Sequence, residues 1–590
     1  MLHRRNRFGP STYVHEGRIA AEAQSIAAGG LLKRSPGSAK LERIEKRDDT
    51  MTGWRKPALA SVEPGHGAAS IRSTASPARP TNARSLLRYA PAFVLLAAVM
   101  ADTIQVADTD LWMHVRFGQI VLHTGHLIRS DIFSYSAPGA PWFNHEWLAD
   151  VVMALFYGAG GVVGLKLMKF LCAAATMALL AIGTAETGAD YPAQLAALML
   201  AALGLRLQIQ FRPQLFDYIF LSALLAMLAR ESRGRRARLW LAIPMMAVWA
   251  NLHGGFLIGL VVLGLYAAVV GVQDWLAGRR CRRAISLGAL TSAALLATLI
   301  NPFGIHELYV VLGKFSEPIL TLNRNVEFQS PLYLLTTSDS WLGLFYAWLF
   351  PIAITIGALI TFALTPRRED FALMAVAVMM ICASLYAVRN MAFAVIACTA
   401  PLAGHLQLVT VSARRRGAEP PRHDAVASAS GRAQLLALAL AVFLAASTKI
   451  FSPRLRIYMD YPVGAVAFMQ RNHLSGNILS TYAWGGYIIW HDVPPSKVFF
   501  DSFDERYPQS VQYDYMRFTT GGSGDTQVLD RYPHDYVLVP AASYLDLLMA
   551  KRSDWAPIYR DPVCVLFARP GSAAAARVSV TAVAPPSEFP

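Results

Sequence analysis

The chain has 590 residues, of which 54% are hydrophobic and only 16% are charged, and its formal net charge is +15. Soluble domains carry about a quarter charged residues, so this composition excludes an ordinary soluble protein and indicates a chain largely surrounded by lipid. The Lys and Arg residues stand in short clusters between apolar runs. That distribution is typical of membrane orientation signals and argues against nucleic acid as a partner.

The chain begins with a polar stretch, residues 1–85, which is rich in Arg, Ala, Gly, Ser and Pro. Such a composition cannot bury enough apolar surface to fold, so we predict a disordered, basic cytoplasmic tail. Residues 86–450 follow as a predicted transmembrane domain. It contains eleven apolar runs that are candidate helical spans: 87–106, 163–183, 192–210, 214–229, 239–252, 255–276, 284–301, 341–364, 371–388, 391–410 and 433–450.

Orientation follows from the basic clusters between these runs. With the N-terminal tail in the cytoplasm, the arginine clusters at 230–238, 279–283, 367–368 and 414–416 all fall on the cytoplasmic side. The outer side then receives loops 102–162 and 302–340, and the distinctive sequence motifs collect there. To keep this agreement, segment 146–160 is interpreted as an interfacial helix on the outer surface instead of a span.

The composition changes after residue 450 to short β-like runs that alternate with helix-like pieces. We predict strands at 487–490, 497–500, 536–539 and 563–568 and helices at 463–473 and 542–551. This alternation indicates a small extracytoplasmic α/β domain over residues 451–569. Within it, Trp484-Gly-Gly-Tyr487 is interpreted as a tight turn that enters a strand. Residues 570–590 are predicted to be a disordered tail.

The first outer loop carries the sharpest chemical signal, Asp108-Thr-Asp110. Two carboxylates two residues apart can bind one divalent cation, because hard cations take oxygen ligands, or they can divide the work of base and orienting group. A solvated cap at the end of a span is the alternative. His114 shares the face of Asp110 if the segment is helical.

Asn144-His145-Glu146-Trp147 closes the same loop. Glu146 is a candidate catalytic acid, metal ligand or partner of a substrate hydroxyl, and His145 is a candidate substrate ligand. The alternative is structural: the tryptophans form an interfacial belt and Glu146 caps a surface helix.

Further candidate substrate-binding residues lie at outer helix ends. Arg212 and Arg389 are suited to a phosphate or pyrophosphate group, although snorkelling to lipid headgroups is the alternative. Asn251 and His253 interrupt apolar sequence before two glycines and face the outer side, and Glu327 marks a second acidic cluster in loop 302–340. No P-loop, Rossmann, HExxH or GxSxG element is present, which argues against a soluble nucleotide-sugar donor.

With this layout, the chain resembles the GT-C class of membrane glycosyltransferases over residues 87–568. The resemblance depends on the DTDLWMH opening at 108–114, the HEWL closure at 145–148 and the WGGY segment at 484–487. It implies a polyprenyl-phosphate-linked sugar donor used at the outer face of a bacterial cytoplasmic membrane. It also implies an envelope glycan, lipid or protein acceptor. No WWD signature of the oligosaccharyltransferases occurs in the tail.

The resemblance assigns roles by position. One of Asp108 and Asp110 deprotonates the acceptor hydroxyl while the other orients the acceptor or binds a metal, Mg²⁺ or Mn²⁺. Arg212 and Arg389 neutralise the departing lipid phosphate, on which negative charge builds as the glycosidic bond breaks. A transporter and a non-catalytic scaffold for envelope assembly are the competing interpretations. The transporter predicts charges deep within several spans, and the scaffold does not need both aspartates.

Overall fold

The computed structural model describes residues 106–316, 326–337, 341–415, 449–457, 460–491, 496–521 and 526–581, with isolated positions at 447, 583, 585, 586, 588 and 589. Its helices follow the apolar runs of the sequence. In chain order the helices of the first part are α1 (Leu111–Thr124), α2 (Trp147–Glu186), α3 (Tyr191–Leu205), α4 (Gln214–Ser232), α5 (Ala242–Leu252), α6 (Phe256–Leu276), α7 (Arg282–Ala297), α8 (Ile305–Ser316), α9 (Pro331–Thr337), α10 (Trp341–Leu364), α11 (Phe371–Tyr386) and α12 (Met391–Arg415).

Five helices among the described residues are long and apolar enough to cross a membrane. They are Trp147–Glu186, Phe256–Leu276, Ala347–Leu364, Arg368–Tyr386 and Val388–Ala413. Helix α3 and the segment Leu239–Leu252 are apolar but shorter, and the predicted spans 87–106 and 433–450 lie almost entirely outside the described residues. The protein therefore has several membrane-capable helices, and the count of eleven spans stays a prediction.

Helix α2 contains the boundary between the predicted interfacial segment and the following span. Its 40 residues form two helical segments separated by a kink at Gly160 and Gly161, whose backbone is not helical. Gly161 has φ of +56°, a conformation that L residues with a Cβ rarely adopt. At Gly164 a Cβ would lie 1.9 Å from the backbone oxygen of Phe156, so the chain turns too closely there for any side chain.

The helical bundle has two chemically different ends. At the C-terminal end of α4, Arg230 and Arg235 pair with Glu186. At its N-terminal end Arg212 contacts a group of carboxylates. A helix of 19 residues is about 28 Å long, close to the thickness of a hydrocarbon layer. The arginine-rich loops and the acidic residues therefore lie at opposite ends of one membrane-sized helix.

The last part of the chain forms a mixed sheet flanked by short helices. Its elements are β2 (Leu455–Ile457), α13 (Val463–Arg471), β3 (Asn477–Ser480), α14 (Tyr482–Trp490), β4 (Lys497–Val498), α15 (Gln509–Thr520), α16 (Gln527–Arg531), β5 (Tyr536–Pro540), α17 (Tyr544–Ala550), β6 (Ala556–Arg560), β7 (Cys564–Ala568), β8 (Ser579–Val580) and β9 (Glu588–Phe589). Six strands pair in the order β4-β3-β5-β7-β6-β8. The central strands β5 and β7 are buried along their whole length.

Two predictions for this region are wrong. The segment 484–487 is not a turn before a strand but part of helix α14, which also replaces the predicted strand 487–490. A short run of apolar residues fits a buried helix as well as a buried strand, and here the glycines serve close packing. A Cβ on Gly485 would lie 2.6 Å from the Phe500 oxygen, and one on Gly486 would lie 3.0 Å from the Met113 side chain.

The predicted disordered tail, residues 570–590, contains two short strands instead. Strand β8 pairs with β6, and β9 pairs antiparallel with β2. Strand β2 also pairs in parallel with β1 (Val106–Ala107), directly before Asp108. Phe589 is buried against the rings of Trp112 and Trp490, and this burial of an apolar side chain explains why strand β9 forms.

Candidate functional site

Asp108 and Asp110 lie between strand β1 and helix α1, so one is fixed by the strand and the other by the first helical turn. The Asp110 N–H donates to Oδ1 of Asp108 at 3.0 Å, and the Asp110 carbonyl accepts from the backbone of His114 at 3.1 Å. Carboxylates at this position are favoured by the positive end of the helix dipole. The Asp-Thr-Asp spacing therefore holds the carboxylates of Asp108 and Asp110 together at the turn before α1, which we call the acid corner.

A single arginine bridges these acids. Nη2 of Arg212 lies 2.9 Å from Oδ2 of Asp108 and 3.2 Å from Oδ2 of Asp110. Its other terminal nitrogen, Nη1, donates to both carboxylate oxygens of Glu327 at 2.6 Å. Arg389 is close by and places its guanidinium 4.5 Å from the ring centroid of Phe328. Residues of the two predicted outer loops, 102–162 and 302–340, thus bind one guanidinium.

Asp110 is the acid in this group with an unusual ionisation. Burial and the negative charge of Asp108 raise its pKa from 3.8 to about 7, although the Arg212 guanidinium acts in the opposite direction. Its side chain keeps 24% of its surface exposed, whereas that of Asp108 keeps 3%. Asp110 is therefore the carboxylate that can both reach a substrate and exchange a proton near neutral pH.

The side chain of His114 is buried and contacts helix α2. Its Nδ1 lies 2.7 Å from Oδ1 of Asp150, and the second oxygen of that carboxylate accepts from the Asn144 amide at 2.7 Å. Burial alone would lower the pKa of His114, but the Asp150 hydrogen bond and the surrounding negative charges raise it to about 9. The contact between His114 and Asp150 therefore joins helix α1 to helix α2.

A second polar group forms where the loop closes. Nε2 of His253 lies 3.3 Å from Oε1 of Glu146, and Nε2 of His145 lies 3.7 Å from the same oxygen. Nδ1 of His253 lies 2.6 Å from Oδ2 of Asp217, whose other oxygen accepts from Nε1 of Trp249 at 2.6 Å. The predicted residues 145, 146 and 253 are thus brought together.

Asn251 belongs to the wall of this group. Its Oδ1 accepts from Nε1 of Trp147 at 3.1 Å, and its amide donates to the Ile300 carbonyl at 2.8 Å. These contacts connect the loop closure, α5 and the end of α7. Seven of the ten predicted site residues therefore lie in two groups, Asp108, Asp110 and Glu327 around Arg212 and His145 and His253 around Glu146. The other three, His114, Asn251 and Arg389, contact Asp150, Trp147 and Phe328 instead.

Sequence reasoning missed three residues of the site: Asp150, Asp217 and Lys169. All three lie within apolar runs and are buried, and ionisable side chains in membrane-capable helices are costly unless they have a partner or a function. Nζ of Lys169 lies 4.5 Å from the ring centroid of Phe211, next to Arg212 in sequence. Their positions inside the predicted helices were a usable signal.

The last part of the chain, from β2 to β9 and called the sheet region below, packs against the helix that follows the acid corner. Trp112, two residues after Asp110, is fully buried. Its ring lies 4.5 to 5.9 Å, between centroids, from five rings that all come from residues after 460: Tyr461, Tyr487, Trp490, His491 and Phe589. Aromatic rings in such contact stabilise one another beyond the burial of their area. The sheet region therefore fixes helix α1, which begins directly after Asp110.

A buried ion pair makes the same connection further along the loop. Nη1 of Arg506 donates to Oδ1 of Asp131 at 3.0 Å, and Asp501 is the second carboxylate partner. Arg506 and Asp131 are both fully buried at the side chain. Tyr135 adds a hydrogen bond between its hydroxyl and Nδ1 of His534 at 2.5 Å. The loop and the sheet region share one packed core within the compact unit 87–590.

Asp108 and Asp110 are the predicted ligands for Mg²⁺ or Mn²⁺. Among the described residues, no group of three or more His, Cys, Asp and Glu side chains is arranged to hold a metal ion. The Arg212 guanidinium occupies the space between Asp108 and Asp110. A cation that uses both aspartates would have to displace this guanidinium, so the present arrangement does not fit a metal there.

No protein-family model and no curated protein matches the chain, but solved structures match its fold. The oligosaccharyltransferase of Archaeoglobus fulgidus, tethered with an acceptor peptide containing the NVT sequon, is 14% identical, with a TM-score of 0.51 over 77% of this chain and 69% of that chain. ArnT from Cupriavidus metallidurans, bound to undecaprenyl phosphate, is 13% identical, with a TM-score of 0.45 over 83% and 99%.

The likeness to the oligosaccharyltransferase is one of fold, and that enzyme is a GT-C glycosyltransferase. The chain therefore has the fold of the GT-C class of membrane glycosyltransferases. This confirms, for the fold, the resemblance seen in the sequence motifs.

Proposed function

We propose that the protein is a membrane glycosyltransferase. It would move a sugar from a polyprenyl-phosphate donor to an envelope glycan, lipid or protein acceptor at the outer face of a bacterial cytoplasmic membrane. The observation that carries the proposal is the group formed by Asp108, Asp110, Arg212 and Glu327. It lies at the end of the bundle opposite the arginine-rich loops, and the positive-inside rule assigns those loops to the cytoplasm. A membrane-level site suits a donor that is itself a lipid.

The reaction needs one base. The acceptor oxygen forms a bond to the anomeric carbon of the sugar, the bond from that carbon to the phosphate oxygen breaks, and the hydroxyl proton passes to a carboxylate. Asp110 has the reach and a pKa of about 7, which suits a base at neutral pH. Asp108 binds the Asp110 backbone and Arg212, so it is assigned to positioning the base.

The departing group is a lipid phosphate that needs positive charge. Arg389 is the better of the two predicted arginines for this role, because among the described residues it forms no ion pair. A guanidinium held against an aromatic ring presents its planar edge to a phosphate. Arg212 is already bound to three carboxylates, so we assign it to organising the acids.

The second polar group is assigned to the rim of the substrate site. Glu146 keeps 13% of its side-chain surface and lies between His145 and His253. It is the member that can accept a hydrogen bond from a sugar or acceptor hydroxyl. His114 and Asn251 are already bound to neighbouring helices and support this wall.

The test uses the purified full chain in detergent with a panel of polyprenyl-phosphate sugars, and it measures release of the lipid phosphate. We expect turnover in the wild type and a loss of at least about a hundredfold in Asp110→Asn, the usual scale for removing a general base. Asp530→Asn, at an exposed acid far along the chain, is the matched control and should keep full turnover. Parallel reactions with EDTA, Mg²⁺ or Mn²⁺ test the predicted cation.

A second arm separates the competing functions in cells. A strain that carries only the double Asn variant at positions 108 and 110 is compared with a null strain for envelope glycans. Glycans that are normal in the variant but defective in the null strain would contradict catalysis and favour the scaffold. Donor that crosses the membrane of proteoliposomes without phosphate release would favour the transporter.

A further inference from the structure

The end of the bundle opposite the acid group carries an unbalanced positive charge. Three segments, 230–238, 273–283 and 367–370, together contain eleven arginines and no lysine. Part of this charge is used internally. Arg233 pairs with Asp370 at 2.9 Å, and Arg283 pairs with Glu231 at 2.5 Å. These contacts join the ends of α4, α7 and α11.

Arg230 and Arg235 pair with Glu186, and Arg367 pairs with Glu369. Five of the remaining arginines have no such role. Among the residues that the structure describes, five arginines of this end form no ion pair, and all five are exposed to the surroundings: Arg236, Arg238, Arg279, Arg280 and Arg282. A solvated charge needs no partner, but five unpaired guanidiniums near one another repel and raise the local positive potential. Such a potential is relieved by a bound anion.

The unpaired arginines fall into two groups that precede neighbouring helices. Helices α5 and α7 pack together and run in the same direction, since Asn251 at the end of α5 donates to Ile300 just beyond the end of α7. The residues before α5 and those before α7 therefore lie at the same end of the bundle. The arginine groups at 236–238 and 279–282 therefore precede two helices that pack against each other.

Large apolar side chains project next to these groups. Trp240 is 62% exposed and lies two residues after Arg238. Trp275 and Leu276 are 72% and 71% exposed and lie four and three residues before Arg279. Tryptophan is enriched where headgroups meet hydrocarbon. A soluble anion would make no use of this apolar rim, whereas a lipid places its phosphate and its acyl chains in contact with both.

We propose that this surface, defined by Arg236, Arg238, Arg279, Arg280, Arg282, Trp240 and Trp275, binds the phosphate headgroup of anionic membrane lipids. Guanidinium groups bind phosphate oxygens in pairs of parallel hydrogen bonds. The neighbouring tryptophans would hold the lipid at the level of the headgroups. This inference does not depend on glycosyl transfer, because it concerns the other end of the molecule.

The test reconstitutes the full chain in nanodiscs of phosphatidylcholine with a minor fraction of phosphatidylglycerol, and native mass spectrometry measures the phosphatidylglycerol retained after detergent extraction. We expect retention to fall about fivefold for each arginine changed to Gln at 279, 280 and 282. The matched control changes three exposed arginines of the sheet region to Gln: Arg454, Arg471 and Arg517. It alters the net charge equally and should retain lipid like the wild type.

Two results would overturn the proposal. Equal retention in the 279/280/282 variant and in the control would show that the surface holds no lipid. Thermal stabilisation of the wild type by millimolar inorganic phosphate in pure phosphatidylcholine nanodiscs, equal to that by phosphatidylglycerol, would indicate a soluble anion instead. Trp240→Ala with Trp275→Ala gives a further arm, and reduced lipid retention with intact folding would support the lipid assignment.

Discussion

The contact between Arg212 and the two aspartates makes a quantitative prediction about pH. Nη2 of this arginine lies 2.9 Å from Asp108 and 3.2 Å from Asp110, and opposite charges this close attract by about 4 kcal/mol at a partly screened site. Arg212→Gln removes that attraction. The pKa of Asp110, about 7 in the wild type, should rise by about one to three pH units.

The consequence for turnover depends on pH. A base must be ionised, so activity falls as the pH drops below the pKa of Asp110. At pH 7 the Gln variant would have about fivefold less ionised base if the pKa rises by one pH unit and about fiftyfold less if it rises by two. At pH 9 most of this loss should be recovered in the first case.

The assay is release of lipid phosphate from the polyprenyl donor, measured as kcat/KM between pH 5.5 and 9.5. Arg212→Lys keeps the charge and should move the acid limb less than Arg212→Gln. A loss by the same factor at every pH, with the limb in its wild-type position, would refute this reasoning. Arg212 would then act on the lipid phosphate, the role that the family resemblance implies.

Three further changes test other parts of the site. Folding raises the pKa of Asp110, so ionisation of this acid lowers the free energy of unfolding, most above pH 7 and least near pH 4. Asp110→Asn should therefore unfold at an equal or higher temperature than the wild type at pH 8, measured by scanning fluorimetry, while it loses turnover. Phe589→Ala removes a ring packed on Trp112, which should lower the free energy of unfolding by about 3–5 kcal/mol. It should also lower kcat with little change in KM, whereas Phe589→Leu should retain most activity. Arg506→Met leaves Asp131 without its buried partner and should lower the free energy of chemical unfolding by about 3–5 kcal/mol. A loss within about 0.5 kcal/mol, the usual size for a surface substitution, would contradict the importance of this pair.

Much of the helical fold could be predicted because long apolar runs have few alternatives to a helix. The break in α2 was also foreseeable, since paired glycines separate two apolar stretches with different surroundings. The segment 484–487 was not, because its residues are apolar on all sides and only contacts with Phe500 and Met113 decide between strand and helix.

The site was predicted unevenly for a physical reason. Asp108, Asp110 and Glu146 were recognisable because polar residues stand out against an apolar background. Which of them carries the perturbed pKa depends on burial and on Arg212, and this arginine lies about a hundred residues away in the chain. The sequence suggested Arg212 as a phosphate ligand, and its contacts with three carboxylates depend on tertiary structure that the sequence does not show.

The small sheet formed by β1, β2 and β9 has a consequence for biogenesis. The strand that holds Asp108 pairs with residues 455–457, which in turn pair with 588–589. Because the chain is synthesised from its N-terminus, the helices of the bundle are made before these two partner strands. The acid corner therefore remains unsupported during membrane insertion, and a chain interrupted before β2 would carry every aspartate and histidine of the site without the fixed geometry to use them.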